Sequence, residues 1–129
     1  MNKDKIINII NEYKLDKSKF IVISGAALVL LNVEKKAHDI DIWCDNDYYY
    51  YLLKEYNCEF ERVNEFGEKA YMIDGTINFG TSFQPEQILM VDDIQCASLK
   101  DTLELKKLLN RDKDKLLIKK LEKILKEQL

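Results

Sequence analysis

At 129 residues, with 47% hydrophobic and 33% charged side chains and a single proline, the chain suits one globular domain, which excludes a two-domain enzyme and a disordered or fibrous protein. A net charge of −3 argues against coating of duplex nucleic acid as a main activity, because that binding rests on phosphate neutralisation by Lys and Arg. The charge is uneven: residues 1–99 sum to −7 and residues 100–129 to +4, so the lysine-rich C-terminal end reads as a solvated helix face and as the end a polyanion would favour.

Met1 to Lys5 is charged and leads into no long apolar run, and no stretch of eighteen apolar residues occurs, which predicts a soluble chain without a signal peptide or membrane contact. Ile6, Ile9, Ile10 and Tyr13 recur at helical spacing and predict an amphipathic helix over about residues 3–14. Phe20 to Ile23 is a short β-branched run halted by Ser24-Gly25, which predicts a buried strand, and Ala26 to Val33 resumes as a helix. From His38 to Cys44 the chain alternates strictly, with Asp39, Asp41 and Trp43 on one face of a strand and Ile40, Ile42 and Cys44 on the other.

Asp45-Asn46-Asp47 is a helix N-cap signal for a helix over Tyr48 to Tyr56. Its four consecutive tyrosines point all round a helix, which suits core packing with a half-exposed rim rather than one stacking platform. Cys58 to Val63, Ala70 to Ile73 and Thr76 to Gly80 predict three strands, the last two joined by a two-residue Asp74-Gly75 hairpin turn. Thr81 to Pro85 reads as loop and Ile88 to Ala97 as holding a short extended piece. Helices follow at about 99–109 and 112–128, the last with an apolar stripe of Leu117, Leu121, Ile124 and Leu125. The expectation is one α/β (α+β) domain over residues 1–129, a small mixed sheet flanked by helices with two helices at the C-terminal end. Cys44, Cys58 and Cys96 are odd in number and lack Cys-x-x-Cys spacing, which predicts reduced thiols of a cytoplasmic protein and no zinc site.

Two features carry chemistry. Carboxylates at i and i+2 of a strand stand on one face roughly 6.5–7 Å apart at the backbone. For Asp39 and Asp41 the repulsion is then on the order of 2–2.5 kcal/mol at an effective dielectric of 20, a penalty that a divalent cation would turn into binding. Ser24-Gly25 joins a strand to a helix, where Gly permits close backbone approach, the helix N-terminus suits a phosphate and Ser24 adds a hydroxyl. A lone His38 before Asp39 excludes a metal phosphohydrolase, which needs several histidines, and the back-to-back strands after residue 58 disfavour a phosphoacceptor receiver domain.

Read together, Ser24-Gly25-Ala26-Ala27-Leu28, then Lys35, then Asp39-Ile40-Asp41-Ile42 resemble the signature of the nucleotidyltransferase superfamily related to DNA polymerase β, nearest its minimal and AbiEii-toxin-like bacterial branches. Leu105-Lys106 followed by Arg111-Asp112-Lys113-Asp114 resembles the pattern that often ends those domains. The resemblance implies Mg²⁺ held by Asp39 and Asp41, nucleotide contacts from Ser24, Gly25, Lys35 and Lys106, and phosphate or acceptor contacts from Lys106, Arg111 and Lys113, which the residues alone equally read as ion pairs with Glu104, Asp112 and Asp114. It also implies a third carboxylate on a later strand. By strand phase Asn78 stands in that place and contributes neither charge nor a base. Asp74, at the hairpin, is the candidate substitute. The chain departs further from the pattern in Ser-Gly for Gly-Gly or Gly-Ser, Lys35 for Arg, and Asn32 where Gly is common.

Two functions are therefore weighed. One is transfer of a nucleoside monophosphate from an NTP to a hydroxyl of RNA, protein or a small molecule, with a toxin-antitoxin setting implied by the resemblance. The alternative is a catalytically degenerate member that acts as a nucleotide- or protein-binding module. A homodimer or an antitoxin-type protein partner is implied in either case.

Overall fold

The computed structural model describes residues 1–128, and among them five α helices flank one seven-stranded mixed sheet. The elements are α1 (Lys3–Glu12), β1 (Phe20–Ile23), α2 (Ser24–Leu30), β2 (Ile40–Cys44), α3 (Asn46–Glu55), β3 (Cys58–Val63), β4 (Lys69–Ile73), β5 (Ile77–Gly80), β6 (Ile88–Val91), β7 (Ile94–Ala97), α4 (Leu99–Leu109) and α5 (Lys115–Glu127). The α+β class with two C-terminal helices is thus as expected from patterning.

Strand order is β3-β4-β5-β2-β1-β7-β6. β1 and β2 are antiparallel, whereas β2 runs parallel to β5 and β1 parallel to β7, so the centre of the sheet is mixed and both flanks are hairpins. Side chains of one sheet face, among them Phe20, Val22, Ile40, Ile42, Ile77 and Phe79, pack into the main core with Ile6, Ile9 and Ile10 of α1, Ala26, Ala27, Val29 and Leu30 of α2 and Leu52 of α3. A second apolar cluster, Leu28, Leu103 and Leu121, fastens α4 and α5 to the outer side of α2. The stripe on α5 that includes Leu117, Leu121 and Leu125 is what seats there.

Caps explain the helix starts. Asn2 accepts from Lys5 N, Asp45 from Tyr48 N and Ser98 from Asp101 N, each satisfying an amide that the first turn leaves open. The tyrosine run divides as its periodicity predicts: Tyr48 and Tyr49 are buried, with Tyr49 against Tyr71 and Phe79, while Tyr50 and Tyr51 stay exposed.

Four local expectations are corrected. The segment Ile88 to Ala97 forms two strands, β6 and β7, turned by Asp92 and Asp93, both at positive φ. Two adjacent aspartates can take that left-handed turn because their short side chains tolerate it, a signal weaker in sequence than Asp-Gly. The β4–β5 connection is one residue longer than a two-residue hairpin: Thr76 N donates to Ile73 O, yet pairing starts at Ile73↔Ile77. β2 begins at Ile40, so Asp39 lies just before the strand rather than in it. α2 starts at Ser24 and has only seven residues, ending before Val33.

Candidate functional site

The core-forming alternation of β2 necessarily turns Asp41 to the opposite sheet face. There it lies in register with Ile23 on β1 and Asn78 on β5. An open cleft of about 690 Å³ runs over this face, and its walls include Ser24, Gly25, Asp39, Asp41, Asn78 and Lys106. Elements far apart in the chain therefore bring together eight of the ten residues singled out from sequence, Arg111 and Lys113 also lining the cleft.

Asp41 is the centre of the site's electrostatics. Its Oδ1 is sealed from solvent and has no hydrogen-bond partner, a state that is costly for a carboxylate. Burial pushes its pKa up to about 7; Asp39 and Glu61 push the same way, and Lys106 and Arg62 only partly oppose them. An unpartnered buried oxygen in a cleft with a second carboxylate, Asp39, is a donor set that a hard divalent cation fits. Among the described residues no three His, Cys, Asp or Glu side chains converge to enclose an ion. Mg²⁺ typically takes one or two carboxylates and completes its shell with water and phosphate oxygens.

Ser24 and Lys106 form the positive side of the cleft. Lys106 is only 7% exposed, and its Nζ donates to Ser24 Oγ at 2.9 Å. Burial is the main influence on its pKa and lowers it, while Asp114 and Asp41 act to keep the ammonium charged. Asp114, itself buried, receives Arg111 through Nε at 2.7 Å and Nη2 at 3.2 Å. Burial acts to raise the Asp114 pKa, but the Arg111 hydrogen bonds and the Lys106, Arg111 and Lys113 charges outweigh it and hold the group below the ordinary value. Arg111 is thus tied to Asp114, whereas Lys113 is exposed at the cleft wall.

The turn differs from the reading of Ser24-Gly25 in one respect. The left-handed residue is Ser24, at φ 59°, and not Gly25, where an added Cβ would meet only Ala37 Cβ at 3.9 Å. A serine held there stores about 1–2 kcal/mol of backbone strain, fixed in place by the hydrogen bond from Lys106. With α2 limited to seven residues, the favourable charge for an anion at this turn comes from Lys106 rather than from a helix dipole.

Two sequence candidates fall outside the site. Lys35 is exposed and does not line the cleft, where Lys36 stands instead. Asp74 sits in the β4–β5 turn and accepts from Tyr13 Oη at 2.6 Å, a bond that is the leading cause of the raised Tyr13 pKa, and it does not line the cleft. Asp74 lies four residues before Asn78, in the turn beyond the sheet face, and Tyr13 at the C-terminal end of α1 donates to it there.

The carboxylate that does reach Asn78 is Glu61 on β3, whose Oε2 accepts from Asn78 Nδ2 at 2.6 Å. Sequence reading passed over it because β3 looks like an ordinary exposed edge strand; only the strand order places it on the same face. Loop residues are anchored nearby by Glu68, which accepts from Thr81 N, Thr81 Oγ1 and Ser82 Oγ, and by buried Asp101, which accepts from Glu86 N and Gln87 N. Among the described residues no helix is long and apolar enough to cross a membrane. Comparison of the chain with protein-family models, with curated proteins and with solved structures returns no match, so the cleft itself is the ground for a functional reading.

Proposed function

We propose that the chain is a cytoplasmic nucleotidyltransferase-type protein that binds an NTP with Mg²⁺ and transfers a nucleoside monophosphate to a hydroxyl on RNA, protein or a small molecule. The observation that supports this reading most is the buried, unpartnered Asp41 carboxylate beside Asp39, with the Lys106–Ser24 pair on the same cleft. In it, Asp39 and Asp41 offer oxygens to the cation, while Ser24, Gly25 and Lys106 receive phosphate oxygens. When bound, Mg²⁺ supplies charge neutralisation on the phosphates and aligns the displacement. The new bond joins the acceptor oxygen to the α-phosphorus as the bond to pyrophosphate breaks, and the proton of the acceptor hydroxyl passes to solvent water. Lys106, held against Ser24, keeps its charge directed at that end of the cleft, and Lys113 on the exposed wall meets the outer part of a substrate.

A second reading has a specific support of its own: Asn78, next to Asp41, is an amide and cannot take the acceptor's proton. On that reading the chain is a degenerate nucleotide- or protein-binding module, or one whose site a second copy or an antitoxin-type protein completes. Titration calorimetry of an NTP with Mg²⁺ and with EDTA, on wild type and Asp41→Ala, tests the cation-bridged site. Binding strengthened by Mg²⁺ and lost in Asp41→Ala is expected; binding indifferent to both refutes it. A labelled-NTP transfer assay then separates enzyme from module.

A further inference from the structure

β3 shifts register between the pairs Phe60↔Tyr71 and Arg62↔Ala70, leaving Glu61 as the extra residue of a bulge. Bulges re-aim side chains. Here Glu61 reaches across the sheet to the Asn78 amide, 2.6 Å from Oε2 to Nδ2. An ionised carboxylate can only accept, so the amide group facing it is the NH2, which leaves the amide oxygen free of Glu61. β3 and β4 lie on one side of β5 and β2 on the other, which sets Asn78 between Glu61 and its own register partner, Asp41. Asp41 in turn holds a sealed oxygen without a partner. The sheet therefore puts an amide whose NH2 is already engaged beside a carboxylate oxygen that lacks a partner.

We propose that Glu61 is a positioning residue, which holds the Asn78 amide so that its oxygen, together with Asp41, completes the cation position. The inference rests on the cation reading of the same cleft. It assigns Glu61 and Asn78 as one unit: the amide supplies a neutral oxygen, and the carboxylate behind it fixes its orientation and polarises it. Orienting groups behind metal ligands typically contribute 10–100-fold in affinity.

The test is Mn²⁺ binding to the full chain, followed by electron paramagnetic resonance of the free ion, with thermal unfolding of each variant in parallel. Glu61→Ala is expected to weaken Mn²⁺ binding about 10–100-fold while melting close to wild type, because Glu61 is exposed on an edge strand. The exchanged pair, Glu61→Gln with Asn78→Asp, keeps the hydrogen bond but turns a charged oxygen towards Asp41, and is expected to bind about tenfold tighter than wild type. This double variant carries the test if Glu61→Ala does not fold. Wild-type affinity in Glu61→Ala, or an exchanged pair that binds no tighter than wild type, overturns the inference alone. No Mn²⁺ binding by wild type overturns the cation site, and the inference with it.

Discussion

Replacing Asp41 by Asn removes the charge and keeps the shape, and the site's electrostatics predict that it makes the fold more stable. Asp41 carries a pKa raised from 3.8 to about 7, chiefly by burial. Below about pH 3 the carboxyl is protonated in folded and unfolded chains alike, and the penalty vanishes. As pH rises towards 7 the unfolded chain ionises and the folded one resists, so stability falls; above 7 the full penalty is present. A displacement of about three units at 1.36 kcal/mol each amounts to about 4 kcal/mol at pH 8, against about 1 kcal/mol at pH 4.5. The introduced amide leaves a buried polar group poorly satisfied at a cost of about 1 kcal/mol. Asp41→Asn is therefore expected to gain about 3 kcal/mol at pH 8 and nothing at pH 4.5. With a urea dependence of roughly 1.5–2 kcal/mol/M, the midpoint moves up by about 1.5–2 M at pH 8. Adding Mg²⁺ at about a hundred times its dissociation constant returns about 2.7 kcal/mol to wild type and nothing to the variant. Urea unfolding at the two pH values, with and without Mg²⁺, reads all of this. An advantage of Asp41→Asn that is equal at both pH values, or absent at pH 8, refutes the argument that the fold holds an unpaired charge here.

Lys106→Met keeps the buried volume but removes the ammonium on Ser24, so NTP affinity should fall about 10–100-fold in calorimetry while the melting temperature holds or rises. Asp74→Ala should leave Mg²⁺-dependent NTP binding unchanged and return the Tyr13 phenol towards its ordinary pKa in an ultraviolet titration; loss of binding would restore Asp74 to the site. Asp101→Ala orphans the Glu86 and Gln87 amides and the Ser98 hydroxyl at a buried position, and should cost about 3 kcal/mol in urea unfolding; a cost under about 1 kcal/mol would show that the loop does not depend on this anchor.

Local pattern determined much of this molecule. Alternation from Ile40 to Cys44 fixes which residues enter the core, and it turns Asp41 away from them whatever the partner strands are. The apolar spacing on α1 and α5, the Asp45 cap and the place of the turn at Asp74-Gly75, though not its three-residue length, were likewise legible, because each depends on residues within a few positions of one another. The Asp92-Asp93 turn was not, since aspartate adopts positive φ only when flanking strands already demand it. Strand order lay wholly beyond local pattern: it results from which apolar faces bury best together. That order alone sets Asn78 beside Asp41, carries Glu61 to Asn78 from an edge strand, brings Lys106 82 positions along the chain to Ser24, and leaves Asp74 to Tyr13. The residue types of the site were thus written in the sequence, while their pairings, and the buried Asp41 oxygen left without a partner, were decided by long-range packing, whose energy no short stretch of chain contains.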